Sequence, residues 1–355
     1  MIFFCVSLPG RFGEWCDTVI ARVAQAALGS VVSTGANTAE ELAGELVRSG
    51  GQHFYIGARH PSRWWREMLT ATGKKFVVAV DDPRRGAADL ILRHKLELRD
   101  ASRLVACSCA FVCRYSSLPG ALVVSSERAS RSPNATVAAL AEHLELSVDT
   151  DTIDRIIGEL EASGLAPVDP DAAESAQLSD ESLPTVNGAL APFSDYFVSG
   201  TLGPIIWSRN LFLEENHGPA IHPINISGKI RYLVYGPHIA LPPGSWMAEV
   251  ILGFSEDAIG MGFRIEVWAG SQLGMAQITP SGPGLARVNV NFVLEESNDS
   301  LVEIRVMNER AAIYGQLILG QVTMTLLPNV SPAVVDRLTA ELGLPSERVR
   351  HLNTV

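Results

Sequence analysis

From Val6 to Trp15 the chain reads Val-Ser-Leu-Pro-Gly-Arg-Phe-Gly-Glu-Trp, joining a short apolar run to the start of a helical one. Such a joint offers free backbone N–H groups at the positive end of a helix, which is the physical basis of a phosphate site. A plain strand–helix turn has the same composition. Farther along, Cys107-x-Cys109-x-x-x-Cys113 clusters three thiols. Zinc sites pair a close-spaced couple of ligands with a second couple. None follows here, so the run Val105–Cys113 reads as a buried strand in which cysteine acts as a small apolar residue. No metal is expected. Trp64 and Trp65, flanked by Arg63 and Arg66, either line a cleft or divide between core and helix surface. Asp149, Asp151 and Asp154 cap and charge the start of a helix over Thr152–Leu160. With no Gly-x-Ser-x-Gly or His-Glu-x-x-His pattern, hydrolase triads and zinc proteases have no support.

The elements that must position these groups are bounded by composition. The 355 residues carry 28 Lys and Arg against 39 Asp and Glu, a formal charge of −11. That balance argues against general nucleic-acid binding, which draws its affinity from cationic contacts to phosphate. At 47% apolar residues the chain can bury a sizeable core, and its length fits roughly two domains of about 150 residues. The longest apolar runs fall short of the ~20 residues that a membrane-spanning helix needs. Met1–Pro9 has no basic leader and ends in a Pro-Gly turn, unlike a signal peptide. Five cysteines, three of them crowded together, fit reduced thiols and a cytoplasmic location.

Charge divides the chain. Residues 1–165 hold 18 basic and 19 acidic side chains; residues 166–190 hold five acids and no base; the rest holds 10 bases and 15 acids. The middle stretch, with its prolines and little apolar periodicity, reads as an acidic linker. In the first part, strands are expected at Ile2–Leu8, Phe76–Val80, Leu104–Val112 and Ala121–Val124. Helices are expected at Asp17–Leu28, Arg63–Thr70, Arg84–Leu98 and Ala135–Leu144. Alternation of this kind predicts a parallel sheet with helices on both faces and ligands at the carboxyl ends of strands. In residues 191–328, about eight short runs separated by Pro-Pro-Gly, Gly-Pro-Gly and Ser-Asn-Asp turns predict an antiparallel jelly-roll sandwich. A tail at 329–355 carries a helix over Pro332–Leu342, with Ser331 as its N-cap.

Three segments of the first part, taken in order, resemble the sulfotransferase family. Leu8–Trp15 resembles its first loop, Pro-Lys/Arg-Ser-Gly-Thr-Thr-Trp. Phe76–Arg84, with Asp81-Asp82-Pro83-Arg84, looks like a strand ending in Arg-Asp-Pro-Arg. Leu122–Leu146, with Ser126-Glu127-Arg128 and a helix ending in His143-Leu144-Glu145-Leu146, is similar to the third signature. The resemblance covers roughly residues 1–160. It implies a three-layer, P-loop-like α/β domain that binds phosphoadenosine phosphosulfate and moves its sulfuryl group to a hydroxyl. Pro9, Gly10, Arg11, Phe12, Gly13, Arg84 and Arg85 would then hold the donor. His60, in Ala58-Arg59-His60-Pro61, would be the base, with His53 behind it. This chain departs from the family in having Gly10 at the Lys position, Gly13 and Glu14 at the two Thr positions, Asp81 at the 3′-phosphate Arg and Asp89 at its helper Ser. Three readings follow: a degenerate sulfotransferase-like domain, an active divergent transferase using Arg11, His60 and Arg84 or Arg85, or an unrelated α/β domain.

In the second part, Tyr235–Trp246 (Tyr-Gly-Pro-His-Ile-Ala-Leu-Pro-Pro-Gly-Ser-Trp) looks like a phrase of the jelly-roll modules appended to bacterial glycosyltransferases and surface-polysaccharide enzymes. That resemblance implies a carbohydrate-binding module in which aromatic rings stack on sugar C–H faces while polar side chains read hydroxyls. Trp207, Arg231, Tyr235, His238 and Trp268 are the expected platform. The same residues also read as turn chemistry and core aromatics. Together these readings predict a two-domain protein handling surface glycans: a transferase to a carbohydrate hydroxyl, or an inactive glycan-binding scaffold of polysaccharide assembly.

Overall fold

Ile2–Ser7 (β1) opens with five apolar residues, IFFCV, and buries them as a strand covered on both faces. Alternating elements follow it: α1 Arg11–Leu28, β2 Val32–Gly35, α2 Ala39–Ser49, β3 Phe54–Ala58, α3 Arg63–Thr72 and β4 Phe76–Val80. Next come α4 Pro83–Leu92, α5 Leu98–Tyr115, β5 Ala121–Ser125, α6 Ser126–Arg131, α7 Pro133–His143 and α8 Thr150–Ala162. The five strands form one parallel sheet in the order β2-β3-β1-β4-β5. One face of the sheet carries Phe3, Cys5, Val77 and Ala79 against Trp15, Val19 and Val23 of α1, with α7 and α8 completing that core. On the other face the fully buried Trp65 of α3 meets Phe4 edge-on at 5.8 Å.

The computed structural model describes residues 1–35, 38–50, 53–59, 63–167 and 178–328. Two units divide them: Met1–Val186 with Phe197–Ser199, and Asn187–Tyr196 with the chain from Gly200 onward. Among the described residues no helix is long and apolar enough to cross a membrane. The expected tail helix with Ser331 lies outside the described residues.

Two expectations for the first unit need correction. Leu104–Val112 is not a strand but the middle of α5, and its buried positions Ala101, Val105, Ala106, Cys109, Val112 and Cys113 recur at helical spacing. The three cysteines share this helix; Cys109 and Cys113 are buried, and burial pushes the Cys113 thiol well up. The helix expected over Arg84–Leu98 stops at Leu92, where Arg93 closes α4 on the Asp89 carbonyl.

The second unit begins inside the expected linker. Leu183–Ser199 (α9) is helical, because Ala189, Leu190 and Phe193 supply a buried stripe that the surrounding acids obscure. Short strands follow: β6 Ile205–Ser208, β7 Leu213–Glu214 and β8 Ile224–Asn225. The longer ones are β9 Tyr232–Ile239, β10 Gly244–Phe254, β11 Phe263–Ala269, β12 Ser271–Ile278, β13 Gly284–Leu294, β14 Val302–Asn308 and β15 Gln316–Leu326. They form two antiparallel sheets, β13-β10-β15-β6 with β8 beside β15, and β12-β11-β14-β9-β7. Alternate residues of each sheet face inward: Trp246, Ala248, Val250 and Leu252 from β10, and Phe263, Ile265 and Val267 from β11. Phe254 and Phe263 join the two sheets with ring centres 4.9 Å apart. Gly274 lets β12 approach β13, since a Cβ there would lie 2.7 Å from the Asn291 carbonyl oxygen.

Candidate functional site

The carboxyl ends of β1, β3 and β4 are where an α/β sheet would take a ligand. Here the loop after β1 is short. Gly10, at φ 125°, starts α1, and Phe12 turns inward to stack on Trp15. Gly13 sits so close to the strand end that a Cβ would fall 2.7 Å from the Leu8 carbonyl oxygen. The first turn of α4 presses on the same loop: a Cβ on Gly86 would meet the Pro9 carbonyl oxygen at 2.4 Å.

The cations at these strand ends are engaged by the protein's own acceptors. Arg84 Nε holds Asp82 at 2.9 Å, and Arg85 holds Asp81 at 3.2 Å. Arg59 Nε holds Asp17 at 3.0 Å, and its terminal nitrogen holds Glu14 at 3.3 Å. Arg11 donates to the Gly164 carbonyl at 2.8 Å. Asp81, which the sulfotransferase resemblance matches to a phosphate-gripping Arg, is largely buried and accepts from the Ser126 hydroxyl. Burial pushes its carboxyl above the usual range, against the pull of Ser126 and Arg85. Asp89, only 3% exposed, holds Arg93 at 2.8 Å. The residues at these strand ends therefore do not fit a polyanionic phosphoadenosine donor: carboxylates stand where its phosphates would need cations. Of the expected bases, His60 lies outside the described residues. His53 sits at the opposite, amino end of β3, 3.3 Å from the Met1 amino group.

The second unit offers a different surface. On the sheet β12-β11-β14-β9-β7, strand pairing sets Trp268 opposite Glu303, Glu266 opposite Arg305, and Arg305 opposite Tyr235. These side chains point away from the sandwich core, because Ile304 and Val306 between them point in. The Arg305 guanidinium lies 4.2 Å above the centre of the Trp268 ring and 5.6 Å from that of Tyr232. Arg305 Nε also donates to Glu303 at 2.8 Å. Glu303 is buried and has His238 Nδ1 at 3.6 Å. A neighbouring carboxylate, Glu266, accepts from the Tyr232 hydroxyl at 3.3 Å and pairs with Arg264 at 2.9 Å. Beside this group opens a cleft of about 540 Å³ bordered by Tyr232, Tyr235, His217, Lys229, Glu303 and Arg305.

Backbone strain gathers at the same place. Among the described residues the non-glycine positions with positive φ are Lys95, Glu145, His217 (63°) and His238 (61°). Both histidine rings contact Tyr235, at 6.0 and 6.2 Å between centres, and the Tyr235 hydroxyl is hydrogen-bonded to His217 Nδ1. A left-handed backbone costs an L-residue free energy, so it persists where the surroundings hold the side chain in place. The stretch of β9 that delivers His238 contains the cis Gly236–Pro237 bond.

Of the expected platform, Tyr235, His238 and Trp268 meet on this face. Trp207 does not: it is fully buried on β6 in the other sheet, an inward-pointing core residue. Arg231 borders the cleft, but its guanidinium is used up on Glu215 at 2.7 Å and on the carbonyls of Ser227 and Asn225, each at 2.7 Å. It anchors a loop. Arg305, Glu303, Glu266 and Tyr232 were not anticipated. Glu303 and Arg305 leave a trace in the alternation Val-Glu-Ile-Arg-Val of β14, with the two charges on alternate positions between apolar residues.

No protein-family model matches the chain, and no curated protein matches it in sequence. Among solved structures it is similar to mouse sulfotransferase SULT7A1 complexed with PAP, at 11% identity and TM-score 0.41 over 51% of this chain and 78% of that one. A sulfotransferase from Alicyclobacillus acidocaldarius aligns at 16% identity and TM-score 0.32, over 46% and 95% of the two chains. TmCBM61 in complex with β-1,4-galactotriose aligns at 12% identity and TM-score 0.23, over 35% and 88%. Likeness at this level concerns the coarse arrangement of an α/β part followed by a β-rich part. The chemistry has to be read from the side chains.

Proposed function

We propose that the chain is a glycan-binding protein. In this reading a jelly-roll module takes the sugar on the β9–β14–β11 face, and the sulfotransferase-like α/β domain serves as a scaffold. The observation that carries it is the stack of Trp268, Arg305 and Tyr232 over buried Glu303, beside an open cleft. Pyranose rings present apolar C–H faces and polar edges. Tyr232 and Tyr235 supply flat apolar surface, and the edge of Trp268 extends it. Glu303 and Arg305, locked to each other, present an acceptor and donors in fixed directions for sugar hydroxyls. Preorganised groups of this kind lose little entropy on binding.

The setting that fits best is the handling of a surface polysaccharide in the cytoplasm during its assembly, with the module holding the chain. Sulfuryl transfer from phosphoadenosine phosphosulfate is not assigned, because the strand-end residues of the α/β domain do not fit that donor. The test is electrophoresis of the full chain through gels cast with soluble polysaccharides. Retardation should appear with at least one of them and be lost in Tyr232→Ala and Trp268→Ala variants that still fold. Retardation undiminished in both variants would refute the assignment of this face.

A further inference from the structure

Building on the glycan-binding reading, we infer that the sugar held on this face carries a negative charge, as a sulfate ester or a uronate carboxylate. Across this one surface the charges do not cancel. Arg305, Arg264 and Arg231 are each matched by a carboxylate of the protein, Glu303, Glu266 and Glu215. The cleft itself is bordered by three cations, Lys229, Arg231 and Arg305, against two carboxylates, Glu215 and Glu303. Among the described residues no acidic partner faces the Lys229 ammonium, so this charge remains available to a ligand. The local excess is positive in a chain of formal charge −11, opposite to the trend of the whole molecule.

The segment that presents Lys229 is built rather than incidental. Asn308 is fully buried at the end of β14, and its amide nitrogen donates to the Lys229 carbonyl at 3.2 Å and the Arg310 carbonyl at 2.8 Å. Its amide oxygen accepts from the Arg231 backbone N–H at 2.8 Å. Arg231 then ties down Ser227 and Asn225 with its guanidinium. A buried amide with these bonds made fixes a backbone register. Here that register leaves a lysine at the rim of an aromatic cleft. A neutral sugar would gain only a hydrogen bond from Lys229, whereas a sulfate or carboxylate on the sugar would gain a charge-assisted one at the cleft wall.

The experiment is a glycan microarray of matched sets, each an uncharged parent beside its sulfated and its uronate forms. It is probed with the full chain and with Lys229→Gln and Lys229→Arg at low and high salt. The charged member of a set should bind about two- to fivefold better than its parent, the scale of one exposed ion pair. High salt should shrink the gap, as should Lys229→Gln, while Lys229→Arg should keep it. Preference for sulfated or uronate members names the source of the charge. Equal binding of parent and charged forms, or a gap untouched by Lys229→Gln, overturns this inference and leaves the glycan reading standing. Binding to no member of any set overturns both.

Discussion

Arg305 and Trp268, on neighbouring strands, are stacked with 4.2 Å between the guanidinium carbon and the ring centre, while Arg305 Nε is fixed on Glu303 at 2.8 Å. Stack and ion pair depend on each other. The pair stops the guanidinium from turning off the ring, and the ring keeps the half-buried guanidinium from losing all its contacts. The result is a rigid patch of aromatic and charged groups on the outer face of this sheet.

Removing Arg305 should therefore harm stability as well as binding. Arg305→Ala leaves Glu303 buried without its main partner, a change that costs about 3 kcal/mol in comparable sites. The double variant Glu303→Gln with Arg305→Met should recover most of that loss while still failing to bind glycan. Chemical denaturation of the two variants separates these outcomes. Full stability in the single variant would mean that the pair is not structurally coupled.

In the α/β unit, the contact between α4 and the loop after β1 is close enough to test with one methyl group. Gly86→Ala places a Cβ against the Pro9 carbonyl oxygen, where backbone and not a flexible side chain must yield. Overpacking of this kind costs about 2 kcal/mol, to be read as a lowered urea midpoint. An unchanged midpoint would show that the loop gives way freely.

Asp81 ties stability to pH. Burial raises its carboxyl above the usual 3.8, so the folded state favours the neutral acid. The stabilisation from a raised pKa is complete below the unfolded value and is lost as pH rises through the folded one. At neutral pH the ionised Asp81 is thus a liability only partly offset by Arg85 and Ser126. Asp81→Asn should melt no lower than the parent at neutral pH, and its relative stability should decline as pH falls toward 3.8. Thermal melts across that range check it. A variant less stable at neutral pH would mean that the Arg85 pair outweighs the burial cost.

The same carboxylates bear on nucleotide binding. Calorimetric titration of the full chain with phosphoadenosine phosphate should show no binding tighter than about 1 mM. Micromolar affinity, lost in Arg11→Ala, would overturn the scaffold reading of this unit.

Much of the architecture was legible in the chain. The apolar runs of β1 and β4, the turn-separated strands of the second unit and a helix opening near Arg84 follow from period and length. Leu104–Val112 was misleading because a helix buried along a wide stripe reads as a continuous apolar run. The edge strand β2 is four residues of modest hydrophobicity, Val-Ser-Thr-Gly, too short to carry a pattern. The site was harder to see. Trp268 and Tyr235 could be named by residue type, but that Arg305 lies between the tryptophan and Tyr232 depends on which strands are neighbours and in what register. No local pattern encodes that. Nor does ring size reveal which sheet face a tryptophan occupies, which is why Trp207 belongs to the core.

If glycan sits on the β9–β14–β11 face, hydrogen–deuterium exchange of the full chain with and without a retarding polysaccharide will show where. Exchange should slow in Tyr232–Ile239, Phe263–Ala269 and Val302–Asn308 and in the Lys229–Arg231 segment, with the loop after β1 unaffected. Protection at Leu8–Glu14 and Asp81–Arg85 in place of those strands would contradict that placement.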